Sequence, residues 1–171
     1  MKSIATRIFG LLSLITGLSS LTASGQVGSS TYDAMLRALL SHSVPEISVP
    51  AVQGLKKEQV YFLDAREKRE FDVSHIQGAY PVGYDHFDLS SVKSIPKDAR
   101  VIVYCSVGYR SEKVAEKLQK AGFKNVSNLY GGIFEWVNQG HAVYDKRGPT
   151  TRVHAYDQVW GVWLKRGEKV Y

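Results

Sequence analysis

The run Val101-Ile-Val-Tyr104 is wholly apolar and stops at Cys105. Six residues, Ser106 to Ser111, then lead into a stretch where Val114, Ala115 and Leu118 fall on one side and Gly122 follows. A short apolar run of this kind reads as a strand buried on both faces. The stripe with its terminal glycine reads as an amphipathic helix over 111–121. Strand, tight loop and helix in that order commit the chain to an α/β design, and the rest of the sequence repeats the alternation. Val60-Tyr-Phe-Leu63 is a second buried-strand candidate ending in Asp64, followed by a charged, helix-compatible stretch from Arg66 to Val73. Tyr80-Pro81-Val82 is a brief extended piece, Val126 to Leu129 another strand, and Gly131-Gly132 opens a last helix with Ile133, Phe134, Trp136 and Val137. Strands alternating with helices imply a largely parallel sheet. Upstream, Ser30 or Thr31 can cap a helix carrying Met35, Leu36, Leu39 and Leu40, which Val44-Pro45 and Val49-Pro50 bring to an end.

Cys105 sits where open α/β sheets place ligands, at the carboxyl end of a strand and the start of a helix. Loop N–H groups, the helix end and Arg110 all favour thiolate over thiol, so a lowered Cys105 pKa and a nucleophilic sulfur are expected. Gly108 lets the backbone curl. The plain alternative is a buried, inert cysteine, since free Cys is among the most buried residue types. It is the chain's single cysteine, which excludes an internal disulfide framework and a thiolate-rich zinc site.

Seven pieces resemble the rhodanese-like (sulfurtransferase) domain family: Leu63-Asp-Ala-Arg-Glu67, Glu70-Phe71, His75-Ile-Gln-Gly-Ala79, Val101 to Cys105, Cys105-Ser-Val-Gly-Tyr-Arg-Ser111, Ala121-Gly-Phe123, and Leu129-Tyr-Gly-Gly-Ile133 with Trp136. They occur in the family's order between about Leu55 and Val143. The resemblance implies a five-stranded, mainly parallel sheet flanked by helices. It also implies a Cys105 that takes a sulfane sulfur from a donor such as thiosulfate, becomes a persulfide, and passes the outer sulfur to a thiol or cyanide-like acceptor, a protein thiol included. Arg110 and the loop residues Ser106, Val107, Gly108, Tyr109 and Ser111 are the expected donor-binding groups. No cofactor and no metal are implied. A non-enzymatic binding or redox-sensing module using Cys105 is the alternative. His75, Asp64, Arg66 and Glu67 are expected to be structural, as are Gly131, Gly132 and Trp136.

Three rival chemistries fail on spacing. A phosphatase loop places five residues between Cys and Arg, whereas here four separate Cys105 from Arg110. A nucleophile elbow wants Gly where Val103 stands. The five histidines form no metal-ligand spacing.

At the N-terminus, Lys2 and Arg7 precede a charge-free run from Ile8 to Leu21, followed by Ala23-Ser-Gly25. This is the pattern of a cleaved secretory signal, and it implies export to a periplasmic or extracellular compartment. The expected organisation is a signal peptide at 1–25, an N-terminal extension at 26–54, a rhodanese-like domain at 55–145, and a basic, aromatic C-terminal extension at 146–171. Residues 26–145 carry 14 basic and 14 acidic side chains, and 146–171 carry 6 and 2. The basic excess therefore lies outside the central domain, and no nucleic-acid partner is expected. Membrane contact is open only to an uncleaved signal or the basic tail. Within that tail, 150–156 and 159–164 are strand-like and 165–168 turn-like, so a β-hairpin packed on the domain is expected.

Overall fold

The computed structural model describes residues 27–56 and 60–171; the expected signal peptide at 1–25 lies outside them. Helix α1 (Ser30–Leu39) leads to strand β1 (Glu46–Ile47) and a short helix α2 (Val49–Gln53). Strand β2 (Val60–Asp64), helix α3 (Lys68–Val73), strand β3 (Tyr80–Pro81) and strand β4 (Arg100–Tyr104) follow. Helix α4 (Tyr109–Lys120), strand β5 (Asn125–Leu129) and helix α5 (Gly132–Asn138) complete the central body. The five strands form one parallel sheet in the order β1-β5-β4-β2-β3. This is the flanked, mainly parallel α/β sheet that the apolar runs imply.

β4 lies at its centre, with Phe62 opposite Ile102 on one side and Val101 opposite Val126 on the other. Its side chains alternate between two cores. Ile102 and Tyr104 join the face that packs Leu129, Ile133 and Phe134, while Val101, Val103 and Cys105 join the face that packs Val114, Ala115 and Leu118. A strand covered on both faces has no polar side, so its sequence is a continuous apolar run. Each large side chain fully buried in this way stabilises the fold by about 1.5–3 kcal/mol relative to exposure.

Several boundaries differ from the sequence expectation. Helix α1 is capped by Ser29, one residue before Ser30, with the Ser29 hydroxyl accepting from the Tyr32 amide at 3.4 Å. Helix α4 starts at Tyr109 rather than Ser111, because Gly108 at φ +128° turns the chain early. The sheet itself begins before residue 55, since β1 in the N-terminal extension is its outer strand. The buried Glu112 carboxylate holds this extension down by accepting from the Ser41 and Ser43 amides at 3.0 and 3.1 Å.

The C-terminal segment corrects the hairpin expectation most. Strands β6 (Val143–Asp145) and β7 (Gly148–Thr150) do form an antiparallel pair, but earlier than expected. Strand β8 (Arg152–His154) instead pairs in parallel with β9 (Glu168–Val170). The apolar stretch between them is not a strand: Gln158–Gly161 form a single helical turn, α6, capped by Asp157, whose carboxylate accepts from the Trp160 amide at 2.8 Å. Parallel strands need a crossover, and α6 with its flanking residues supplies it. Trp163 stacks on Tyr32 of α1 at 5.2 Å between ring centroids, and Leu164 is fully buried. The segment is thereby docked on the N-terminal helix.

Candidate functional site

Cys105 follows the last residue of β4 and is buried, with 1% of its surface exposed. The loop after it is shaped by tying its carbonyl groups outward. The Cys105 and Ser106 carbonyls accept from the Ile133 and Phe134 amides at 2.9 and 3.1 Å. The Gly108 carbonyl accepts from the Glu112 amide at 3.0 Å, the Asn128 side-chain amide at 3.0 Å and the Ser111 hydroxyl at 3.1 Å. Opposed to these carbonyls, the Gly108 N–H donates to Cys105 Sγ at 3.1 Å. The Tyr109 and Arg110 amides, first in α4, have no intrahelical acceptor, and with the helix dipole they place partial positive charge at the end where the sulfur lies. Gly132 is what lets α5 approach: a Cβ there would collide with the Cys105 carbonyl oxygen and lie 2.6 Å from that of Ser106, at a backbone φ of +57°.

Arg110 does not reach freely into the site. Its Nη1 and Nη2 donate to the two Glu70 carboxylate oxygens at 2.7 and 2.8 Å, and Nη2 also to the Ser106 hydroxyl at 3.0 Å. Burial alone would raise the Glu70 carboxyl, but the hydrogen bonds and charge of Arg110 hold it below the usual carboxylate range. Burial likewise opposes the charge on Arg110, and the Glu70 hydrogen bonds together with the nearby Cys105 sulfur outweigh it and keep the guanidinium charged. This fork-to-fork pair fixes the guanidinium in one geometry and largely cancels its charge. Arg110, an expected donor-binding group, thus lines the pocket as one half of an ion pair and not as a free cation.

A pocket of about 570 Å3 opens at the sulfur. Among the sequence-derived candidates, Cys105, Ser106, Val107, Tyr109 and Arg110 line it. Gly108 and Ser111 do not. The Ser111 hydroxyl is buried and shared with the Gly108 carbonyl and Asn128 Oδ1, the latter at 2.7 Å, so Ser111 serves the loop's shape. Asp64, Arg66, Glu67 and His75, expected to be structural, each hold a neighbouring element, and Glu67 lines the pocket as well. Asp64 and Arg66 form a fully buried ion pair at 2.6 Å, with Arg66 also donating to the Ser74 carbonyl at 2.6 Å. Glu67 caps α3 and accepts from the Tyr84 and Asp85 amides, each at 3.2 Å. His75 stacks on Phe71 at 3.9 Å and pairs its backbone with Tyr144.

Sequence reasoning missed Glu70 as Arg110's partner, and missed Leu39, Arg69, Tyr84, Asp85, Tyr156 and Trp160 as pocket residues. Glu70 had a visible signal: it belongs to one of the motif pieces, and a carboxylate next to an apolar Phe is a candidate for burial. Tyr156 and Trp160 carried none, because they reach the pocket only through the way the C-terminal segment folds back. The Arg110 guanidinium lies 5.0 Å from the Tyr156 ring centroid, which joins this outer wall to the loop.

Residues 50–139 match the model of the rhodanese-like domain. Among curated proteins, the chain is 37% identical over 90 residues to the tRNA uridine(34) hydroxylase of Onion yellows phytoplasma (strain OY-M), covering 50% of this chain and 29% of that protein. It is 34% identical over 86 residues to the tRNA uridine(34) hydroxylase of Staphylococcus aureus (strain Newman), covering 47% and 27%. The chain thus spans less than a third of the length of these relatives. Among solved structures, it resembles a thiosulfate sulfurtransferase from Pseudomonas aeruginosa with a TM-score of 0.57 and 25% identity, over 78% of this chain and 26% of that one. A rhodanese-like domain protein from Staphylococcus aureus matches with a TM-score of 0.52 and 25% identity, over 60% of this chain and 98% of that one.

Proposed function

Because the chain belongs to the rhodanese-like domain family, we propose that it is a sulfurtransferase that carries a sulfane sulfur as a persulfide on Cys105. The observation that carries this reading is the sulfur's position. It stands at the end of a central strand, 3.1 Å from the Gly108 N–H, at the head of α4 and on the wall of a pocket. In the first half-reaction the Cys105 thiolate attacks the donor's outer sulfur. A bond forms between Sγ and that sulfur, the donor's S–S bond breaks, and the donor's remaining group leaves with the electron pair; from thiosulfate this is sulfite. In the second, a thiolate or cyanide attacks the outer sulfur of the persulfide and the Cys105 thiolate is released. The sulfur changes hands without net oxidation of the protein, and neither step needs a proton relay.

The loop's part is electrostatic. Fixed N–H groups and a helix end already face the place where negative charge sits in both the thiolate and the persulfide, so little reorganisation is needed as the reaction proceeds. The Glu70–Arg110 pair positions the loop. The tRNA-modifying relatives share only this domain with the chain, so sulfur transfer, not hydroxylation, is the activity proposed.

The test is to weigh the intact protein after incubation with thiosulfate or an organic persulfide. A gain of one sulfur atom, removed by cyanide or a thiol and absent in Cys105→Ser, is the expected result. A wild-type protein that gains no sulfur from any donor supports the alternative of a binding or redox-sensing module.

A further inference from the structure

The pocket's composition bears on which donor it accepts. Leu39, Val107, Tyr84, Tyr109, Tyr156 and Trp160 give it an apolar and largely aromatic wall. Its charged lining is Glu67, Asp85, Arg69 and Arg110. Arg110 is neutralised by the buried Glu70, so the lining together with Glu70 has no surplus of positive charge. Among the described residues Arg69 is the one lining cation outside an ion pair, and Asp85 offsets it. A compact inorganic dianion approaching a thiolate gains little from such a wall. A volume near 570 Å3 is of the size that encloses an organic molecule.

Two of the aromatic residues come from beyond the matched domain residues 50–139. Tyr156 holds a left-handed backbone, φ +67°, which is uncommon for a bulky side chain and must be held by its surroundings. Here its N–H donates to His154 Nδ1 at 3.1 Å, and its ring stands over Arg110. Trp160 is set by the Asp157 cap of α6. The segment is thus built to present two rings at the mouth of the Cys105 pocket.

We infer that Tyr156 and Trp160 are specificity-determining residues that select a sulfane sulfur carried on an organic body over a compact inorganic one. The inference rests on Cys105 acting as a sulfur carrier. With an organic persulfide, the Cys105 thiolate bonds to the outer sulfur of R–S–SH, the donor's S–S bond breaks, and R–S⁻ departs with the electron pair and takes a proton from water; the original proton stays on the transferred sulfur. The rings contact R, and contact between aromatic groups adds to the area they bury.

The experiment compares benzyl persulfide and thiosulfate as donors to the full chain, reading the rate of sulfur gain on Cys105 by mass. The wild type is expected to favour benzyl persulfide. Tyr156→Gly and Trp160→Leu are each expected to lower the ratio of the two rates by roughly three- to tenfold. Glycine suits the left-handed backbone at 156, and Tyr156→Asn, also tolerant of that conformation, provides a second variant that keeps the fold. If the ratio is unchanged in all three folded variants, or the wild type favours thiosulfate, the inference is overturned while sulfur transfer stands. If the wild type gains sulfur from neither donor, both readings fall.

Discussion

At the Cys105 loop the backbone itself is tied down. Three anchor points, the carbonyls of Cys105, Ser106 and Gly108, are claimed by α5, Asn128 and α4, and no side chain larger than hydrogen fits at Gly132. In the C-terminal segment, by contrast, the elements are three or four residues long and the docking is done by side chains. Trp163 stacks on Tyr32, Leu164 is buried, and Asn138 accepts from the Lys165 amide at 2.7 Å while donating to the Trp163 carbonyl at 2.9 Å. Exposure follows the same division: Cys105 is 1% exposed, Tyr156 41% and Val159 73%. The difference teaches that Cys105 is held by backbone hydrogen bonds that leave little room for change, and the outer wall of its pocket by the side-chain docking of short elements.

Glycine substitutions test this most severely. Gly132→Ala is expected to cost about 4 kcal/mol or more, since the new Cβ meets fixed carbonyl oxygens and the backbone is left-handed. Gly148→Ala, at the first residue of β7, also has positive φ, +136°, but nothing lies within 4 Å of its added Cβ. Its cost is expected to be backbone strain alone, about 1–2 kcal/mol. Urea unfolding of the two variants measures both, and equal losses would erase the distinction between the regions.

The next largest effect concerns the buried pair. Arg110→Met leaves the Glu70 carboxylate buried without its partner and is expected to cost about 3 kcal/mol. Adding Glu70→Gln removes the stranded charge, so the double variant is expected to be more stable than Arg110→Met alone by at least ~1 kcal/mol. A double variant no better than the single one would mean that the pair is not coupled. Because Arg110 is already neutralised, the single variant is expected to slow thiosulfate and a neutral sulfane donor alike, which side-by-side rate measurements check.

The smallest effect is pH dependence, and the two regions separate by pH. Burial holds the His154 pKa below its ordinary value, and its Nδ1 is the acceptor for the Tyr156 amide. A depressed folded pKa means that the associated stability is complete above the unfolded value of about 6.5 and is lost as pH falls through the folded one. Glu70 is also depressed, so its contribution is complete above the unfolded carboxyl value of about 4.3 and is lost only at still lower pH. The outer wall is therefore expected to weaken on mild acidification and the loop only in stronger acid. Thermal melts from pH 7 to 4 check this. His154→Asn, which keeps an acceptor that does not titrate there, should flatten the upper part of the curve; His141, also lowered by burial, and His42, raised by its hydrogen bonds to the Arg37 carbonyl and Glu46, contribute there with opposite signs.

Much of the central body was legible in the sequence. The runs 60–63, 101–104 and 126–129 are strands, the stripe on 111–121 is a helix, and Cys105 lies at their junction. Legible too were the buried placing of Asp64 and Arg66 and the stacking role of His75, whereas the loop proved two residues shorter than expected because Gly108 turns the chain early. Less so was the role of Arg110, because a guanidinium's partner lies wherever folding brings a carboxylate, and Glu70 is 40 residues away along the chain.

What the sequence determined by itself was what periodicity governs: a strand with no polar side must be covered on both faces, and a stripe with a terminal glycine must be a helix that ends there. The tertiary structure alone decided the rest. The stretch Val159 to Leu164, apolar on alternate sides and too short for a decisive period, became one capped helical turn because Trp163 and Leu164 had a surface to dock on and β9 had to return parallel to β8. Such a segment has no strong preference of its own. Its conformation, and with it the placing of Tyr156 and Trp160 in the wall of the Cys105 pocket, is set by the area that it buries against residues as far away as Tyr32.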